Sequence, residues 1–442
     1  MATSKSSKAI GRNGTWRNWG RTVQAKPANV YSPANPGDVS ALVSSAAQQG
    51  RTIRMIGAGH SFTSTAVADD MMLLPDKLQG VRHIDPAAGS ITVEAGINLT
   101  RLCEVLHSHG LALTNMGDIR VQSLAGALQT GTHGTGRDTG TFADMVTGLE
   151  LVAGDGSVIT ASATQNPDVF NAARVGLGAF GIVTAVTLAV EPAFRLQAHE
   201  APAQFDEVVE SFDGWTAAHD HVEFYWFPHT EGCYVKYNDR TTDPTAPPSA
   251  FKSWWEEDFM SNTVFGATCR FSRTAPGYTP FVNKIAAKAL SDRTYTDDSW
   301  RVFTSPRRVR FAEMEYALPR ESLLPALTDV KKLLSEGAWR ISFPIEVRSV
   351  PRDTSWLSPA TGRDTGYIAV HAFDRTDREW FLAVEAIMRS YQGRPHWGKI
   401  NTRTAADLRP AYPNWDKAMA VRDQLDPQRV FANVYTRAVL GE

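Results

Sequence analysis

Three short stretches of this chain have residue types and spacings that could do chemistry. The turn Gly57-Ala58-Gly59-His60-Ser61 follows the β-branched run Thr52 to Ile56. Backbone amides at such a strand end can hold a pyrophosphate without a lysine. The spacing is not the GxGxxG dinucleotide fingerprint, because the third residue after Gly59 is Phe62. Taken alone, the turn reads equally well as an ordinary strand end with a surface histidine. Between Ser123 and Gly140 the chain is again rich in glycine, with Ser, Thr, Ala and His133, and only Leu124 and Leu128 are large and apolar. This stretch builds no core of its own, but it lets backbone N–H groups come close to a ligand. The third stretch, Ile341 to Arg348, reads as a strand, so Glu346 and Arg348 share one face and Ile345 and Val347 the other. A carboxylate and a guanidinium so placed could accept from and donate to neighbouring hydroxyls. A solvated surface salt bridge is the competing reading. No HExxH or comparable ligand spacing occurs among the eleven histidines, so no metal is expected.

The elements that must position these residues alternate early. Asn35 heads a helix with apolar positions Val39, Leu42, Val43 and Ala46, ended by Gly50. Ser90 to Ala95 alternates like a half-buried strand, and Leu99, Leu102, Cys103 and Leu106 give the next helix one apolar face up to Gly110. Leu149 to Val152 and Val158 to Ala161 form a hairpin about Gly154-Asp155-Gly156. Val175 to Val190 is a buried strand with its approach loop, too short and too polar for a membrane span. After Glu191-Pro192 aromatic residues become dense: Phe224 to Phe227, then Trp254, Trp255 and Phe259. Strand-like runs at His221 to Phe227, Glu313 to Ala317 and Ile341 to Arg348 alternate with helical stretches at about 202–218 and 320–336, which predicts an antiparallel sheet covered by helices.

The chain has 442 residues, enough for two or three domains and a large cofactor. With 45 Lys+Arg against 47 Asp+Glu, the net charge of −2 gives no global field for nucleic acid or an anionic membrane. Three scattered cysteines and a polar N-terminus without an apolar core point to a cytoplasmic protein.

Together, Arg54-x-x-Gly57-x-Gly59-His60-Ser61-Phe62, the Ser123 to Gly136 loop and Gly178-Ala179-Phe180-Gly181-Ile182-Val183 resemble the vanillyl-alcohol-oxidase type of FAD-binding domain. Arg394-Pro395-His396-Trp397-Gly398-Lys399 resembles the signature of the sugar aldonolactone oxidoreductases within it, the L-gulono-1,4-lactone oxidases and dehydrogenases, with the alditol oxidases related. The resemblance runs from about Trp19 to Leu440. It implies an α+β fold of two domains: a mobile segment 1–18, an FAD-binding domain 19–195, an antiparallel-sheet substrate (cap) domain 196–395, and a segment 396–442 returning to the FAD domain.

Position by position, the resemblance places FAD against Met55, Ile56, Gly57, Ala58, Gly59, His60, Ser61, Gly117, Asp118, Ser123, Gly126, Thr130, Gly131, Thr132, His133, Ile182 and Lys399. His60 matches the histidine bonded covalently to the flavin; packing on the ring edge without a bond is the alternative. Asp118, Glu346, Arg348, His371 and Lys399 match substrate positions, with Glu346, Arg348, His371 and Lys399 as the catalytic set. Oxidising a carbinol needs loss of a hydroxyl proton and transfer of a hydride, so His371 is the expected general base and Lys399 the cation for the developing charge. Lys399 lies beside an aromatic residue and a glycine, where its charge requires an answering anion. Gly117 matches the small residue that leaves oxygen a path to the flavin. Asp118 favours the lactone enzymes, whereas Ile400-Asn401, where those enzymes carry a terminal histidine, resembles the alditol oxidases.

The implied reaction is oxidation of an L-gulono-, L-galactono- or D-arabinono-1,4-lactone to an ascorbate-like product, with hydride to flavin N5 and electrons to O2 or another soluble acceptor. Oxidation of an alditol such as xylitol or sorbitol to an aldose and hydrogen peroxide is the alternative. A flavin- or sugar-binding protein without turnover is the rival from another class, disfavoured by the joint presence of the catalytic set. Neither nucleic acid nor a membrane span enters this reading.

Overall fold

The computed structural model describes residues 10–11, 13–249, 251, 260, 262–373 and 377–442. Trp254, Trp255 and Phe259 lie outside the described residues. Near the N-terminus, Trp16 is buried and packs beneath Gly59.

Three short strands form a small parallel sheet of β1 (Asn29–Tyr31), β2 (Ile53–Met55) and β3 (Met71–Leu73), in the order β1-β3-β2. Helix α1 (Pro36–Gln48) lies between β1 and β2 in the chain; Asn35 caps it by accepting from the Asp38 amide. Antiparallel β4 (Val81–Asp85), β5 (Ser90–Glu94), β6 (Val146–Val152), β7 (Val158–Ser162) and β8 (Ile182–Ala189) are ordered β7-β6-β8-β5-β4. Helix α2 (Leu99–Ser108) buries Leu99, Leu102, Cys103 and Leu106, the face read from spacing. Within the glycine-rich stretch a helix forms that its composition does not announce, α3 (Leu124–Gln129), with Leu124, Ala127 and Leu128 buried. These three pack in one core with the far C-terminal Trp397, Leu408, Trp415 and Leu440.

At Arg195 a second, eight-stranded sheet begins. It comprises β9 (Arg195–Gln204), β10 (His221–Trp226), β11 (Gly232–Thr241), β12 (Arg293–Asp298), β13 (Phe311–Pro319), β14 (Ile345–Val350), β15 (Thr365–Phe373) and β16 (Arg394–Pro395). The order is β12-β9-β11-β10-β14-β15-β13-β16, antiparallel throughout. Helix α4 (Phe205–Ala218) covers one face with α7 (Leu323–Glu336) and α8 (Arg378–Ser390), while α5 (Phe265–Thr274) and α6 (Thr279–Lys288) lie at the side.

Among the boundaries that differ from expectation, three are starts that come later than expected. The strand expected over Ile341 to Arg348 starts only at Ile345, because Pro344 has no N–H for the ladder. The helix expected from 202 starts at Phe205, since β9 runs on to Gln204. The helix expected from 320 starts at Leu323, after a 3-10 turn over Arg320–Ser322.

The side-chain period of two splits the large sheet into unlike faces. Phe224, Val235, Met314, Val347, Ile368 and Val370 face the helices and form an apolar core. Glu200, Glu223, Tyr225, Lys236, Arg293, Glu313, Glu315, Glu346, Arg348 and His371 alternate with them onto the other face.

Candidate active site

The two glycine-rich loops meet. The Cα of Gly57 lies 3.6 Å from where a Cβ on Gly126 would sit, and a Cβ on Gly57 itself would fall 2.3 Å from Ser123 Oγ. A Cβ at either position would collide with the Ser123 hydroxyl, at 2.3 Å from Gly57 and 2.8 Å from Gly126. The backbone N–H groups of Ala58, Gly59, His60 and Ser61 find no acceptor within the described chain, which leaves four successive donors open. Gly59 sits at φ +72°, the left-handed region that turns successive amides to one side. This is a cradle for an anion, and with the cleft around it the donor set fits the pyrophosphate of a dinucleotide. The cleft is lined by Met55 to Ser61, Ser123, Gly126, Thr130 and Ile182. Arg54 is committed elsewhere: buried, it donates to the carbonyls of Phe431 and Leu177 at 2.5 Å each and ties the C-terminal segment to the cleft wall.

At His60 and Ser61 the cleft adjoins a cavity of about 780 Å³. Gly117, Asp118, Thr130, Thr132, His133, Glu346, Arg348, His371 and Lys399 line it, so every substrate-side residue read from the sequence lies in one chamber. Gly131 is not among the residues lining either space; at φ +76° it turns the chain against Pro359. Burial, and then Lys399, lower the pKa of His60 to about 4, so its imidazole is neutral. Its ring stacks on Trp19 with centroids 5.3 Å apart.

Register brings the groups expected to be catalytic together. Glu313 on β13 stands directly opposite His371 on β15, and Glu346 on β14 opposite Tyr225 on β10. The Nδ1 of His371 faces the Pro344 carbonyl at 3.2 Å, which places the proton there and leaves the Nε2 lone pair for the chamber. Glu313 Oε1 lies 3.7 Å from that Nε2, while Glu313 Oε2 pairs with Lys399. Burial lowers the pKa of His371; burial also opposes the charge of Lys399, but Glu313 and Glu315 outweigh it and raise the Lys399 pKa. Glu313 is therefore the anion that Lys399 required.

Arg348 is doubly held, by Glu346 at 2.5 Å and by Glu223 at 2.6 Å. Burial raises the pKa of Glu346 to about 7 despite Arg348, because Glu223, Asp118 and Glu313 add negative charge nearby. The pair is thus no solvated surface bridge: both side chains are nearly buried and Tyr225 Oη donates towards Glu346 Oε1 at 3.3 Å. Asp118 pairs with Arg307 at 2.7 Å and accepts from Ser305, closing the chamber on the other side.

His133 Nε2 faces Glu315 Oε1 at 3.1 Å, and His396 lies beside them. These three could group around a cation, their ligand atoms falling within 4.8 Å of one another. However, the Gly398 N–H donates to His396 Nδ1 at 3.1 Å, so that lone pair is used and the proton sits on Nε2. Neither nitrogen of His396 is then open to a metal.

Glu313, Glu315, Glu223, Tyr225 and Arg307 were not singled out from sequence. Glu313-x-Glu315 repeats the i, i+2 spacing that drew attention to Glu346 and Arg348, and that signal was available.

The D-arabinono-1,4-lactone oxidase family matches residues 186–439 and the FAD binding domain family residues 27–162. The L-gulono-1,4-lactone dehydrogenase of Mycobacterium tuberculosis is 39% identical over 427 residues, 96% of this chain and 99% of that protein. The L-gulonolactone oxidase of Bos taurus is 32% identical, covering 96% and 98%. The alditol oxidase of a Streptomyces species is 31% identical, again covering 96% and 98%. A crystal structure of cholesterol oxidase from B. sterolicum shares the fold, with a TM-score of 0.83 at 20% identity over 97% of this chain and 96% of that one.

Proposed function

The chain belongs to the family of FAD-dependent aldonolactone oxidases and dehydrogenases, and from that premise we propose that it oxidises an aldono-1,4-lactone at C2 to an ascorbate-like 2-keto lactone. The single observation behind this reading is the His371, Glu313 and Lys399 cluster set opposite the Glu346–Arg348 pair in one chamber that adjoins the glycine cradle.

The residues that would hold FAD are Met55 to Ser61, Ser123, Gly126, Thr130 and Ile182 along the cleft, with His60, Gly117, Thr132, His133 and Lys399 at the chamber. Bound there, FAD supplies the hydride acceptor. His371 Nε2 takes the substrate hydroxyl proton, its tautomer fixed by the Pro344 carbonyl. As the imidazolium forms, Glu313 offsets its charge, and Lys399 stabilises the negative charge developing on the substrate oxygen. Glu346 and Arg348, joined by Asp118, orient the remaining ring hydroxyls. Attachment of the flavin through His60 is part of the proposal; the depressed pKa leaves a neutral ring nitrogen able to act as nucleophile. The division into a cofactor domain to about residue 195, a cap to 395 and a returning segment is proposed with it, as are passage of electrons to O2 or a soluble acceptor and a cytoplasmic setting.

Initial rates with L-gulono-1,4-lactone and with xylitol test the reading. Faster turnover of the lactone is expected. Preference for xylitol would assign the chamber to alditols, the reading that Asn401 favours by standing where the lactone enzymes carry a histidine.

A further inference from the structure

A single file of charged side chains crosses the polar face of the large sheet. Arg293 on β12 stands directly opposite Glu200 on β9, Glu200 opposite Lys236 on β11, and Lys236 opposite Glu223 on β10. The β10–β14 register, with Phe224 opposite Val347 and Tyr225 opposite Glu346, carries the file one strand further, to Arg348. The signs alternate, cation then anion, over five adjacent strands. Contacts follow the file. Arg293 Nε lies 2.8 Å from Glu200 Oε2, and Lys236 Nζ lies 4.0 Å from Glu200 Oε1 and 3.0 Å from Glu223 Oε1. Arg348 Nε donates to Glu223 Oε2 at 2.6 Å.

All five side chains are largely buried. Taking so many charges out of water gains a sheet little net stability, because the desolvation cost offsets their attraction. Of the five, Arg348 alone is among the residues lining the chamber. Glu223 divides its oxygens on either side of this boundary: Oε1 accepts from Lys236 Nζ and from Tyr225 Oη at 3.1 Å, and Oε2 is left to Arg348. Burial opposes the charge of Glu223, but Arg348 and Lys236 outweigh it and lower its pKa, so it remains an anion. Arg348 in turn has Nε on Glu223 and Nη2 on Glu346. Two nitrogens tied to carboxylates on two strands fix the plane of the guanidinium, which one contact would leave free to turn.

We propose that Glu223, steadied by Lys236, is a positioning residue that sets the orientation in which Arg348 meets the substrate hydroxyls, and so governs substrate affinity from outside the chamber. This rests on the reading of Arg348 as a substrate-binding group. Glu223 reaches Glu346 as well, since Tyr225 Oη lies within hydrogen-bond distance of both carboxylates. Glu346 is faced by these two residues of β10 and by Arg348 on its own strand. Asp118, Arg307, Glu313 and Lys399 also act on its charge, and His371 shares the chamber.

Steady-state kinetics of the flavin-loaded enzyme test the proposal. Glu223→Gln keeps the shape of the side chain and removes its charge. KM should rise about 10-fold, the low end of what a hydrogen bond to a charged group contributes, while kcat changes far less. In an Arg348→Met background the same substitution should change KM by less than about two-fold, because the group through which Glu223 acts is gone. Lys236→Gln should raise KM less than Glu223→Gln does, and Lys236→Arg should bring it back towards the parent value. The fall of KM with pH should move to lower pH in Glu223→Gln by on the order of one unit, since Glu346 loses a neighbouring anion and has Arg348 to itself. Should the single variant fail to fold, Glu223→Gln with Lys236→Met removes one charge of each sign and is expected to show the same rise in KM. KM unchanged in both of these variants would overturn the proposal, as would a rise by the same factor with and without Arg348, or a pH dependence that stays where the parent has it. Each ratio is taken with whichever of L-gulono-1,4-lactone and xylitol the parent oxidises, so a preference for xylitol would refute the lactone reading and leave this test intact.

Discussion

Replacing Glu313 with Gln keeps the shape of the side chain and removes its charge, which separates its electrostatic role from its packing. Oε1 lies 3.7 Å from His371 Nε2, and both side chains are largely buried, 7% and 10% exposed. Two unit charges at that distance interact by about 4.5 kcal/mol at an effective dielectric of about 20, an upper figure equal to about three pH units. Burial already lowers the pKa of His371, and Lys399 adds to the lowering. Without Glu313 both effects go unopposed and the base becomes weaker still. In Glu313→Gln the acidic limb of the kcat/KM profile should therefore move to lower pH by about one to three units. Because a weaker base is also a poorer one, kcat on the plateau should fall on the order of 10²-fold. Glu313→Asp, which keeps the charge, should bring the limb back towards the parent position. Titration of histidine-labelled holoenzyme by NMR should show the same displacement in the His371 resonance. An acidic limb that stays in place or moves to higher pH in Glu313→Gln, with His371 titrating as in the parent, would refute the pairing.

Gly57→Ala should lower the urea midpoint of the apoprotein by the equivalent of about 1–3 kcal/mol, since the new Cβ meets Ser123 Oγ at 2.3 Å; adding Ser123→Ala should restore most of it. Acid denaturation should leave yellow flavin on the parent polypeptide and release it from His60→Ala, as judged by absorbance of the washed precipitate. As pH rises through about 7, KM for the lactone should fall while Glu346 ionises and becomes a stronger, acceptor-only partner, and Glu346→Gln should flatten that dependence. The same raised pKa means that the stability contributed by protonated Glu346 is present below its ordinary 4.5 and lost as pH climbs through about 7, so Glu346→Gln should flatten that loss in urea titrations.

Much of the scaffold was legible because its signals are local. Asn35 announces the helix that it caps, the period of two sets the strands, and Gly57 and Gly59 mark a strand-end turn on their own. Helix α3 was not legible, because its helical packing depends on a core completed by Trp397 and Leu408, almost three hundred residues away. Similarly, Ile341 to Phe343 have strand-forming composition, but Pro344 ends the ladder there.

What the sequence determined by itself is the inventory: a glycine cradle, one histidine beside it, a strand presenting Glu346 and Arg348, and a lysine in a tight turn. Its i, i+2 spacing also determined that the strand carrying Glu346 and Arg348 would have a polar and an apolar face. Only the tertiary structure decided which polar faces meet. Opposing Glu313 to His371, or Glu346 to Tyr225, depends on strand register, and a slip of one residue would turn every such group into the apolar core. Register is set by pairing between segments up to about sixty residues apart on β13 and β15, and more than a hundred on β10 and β14, so no local pattern encodes it. The same holds for α6, which buries Asn283 and exposes Phe281 and Ile285, since the carbonyls of Pro228 and Ile341 that turn Asn283 inward exist as a pair only in the folded chain.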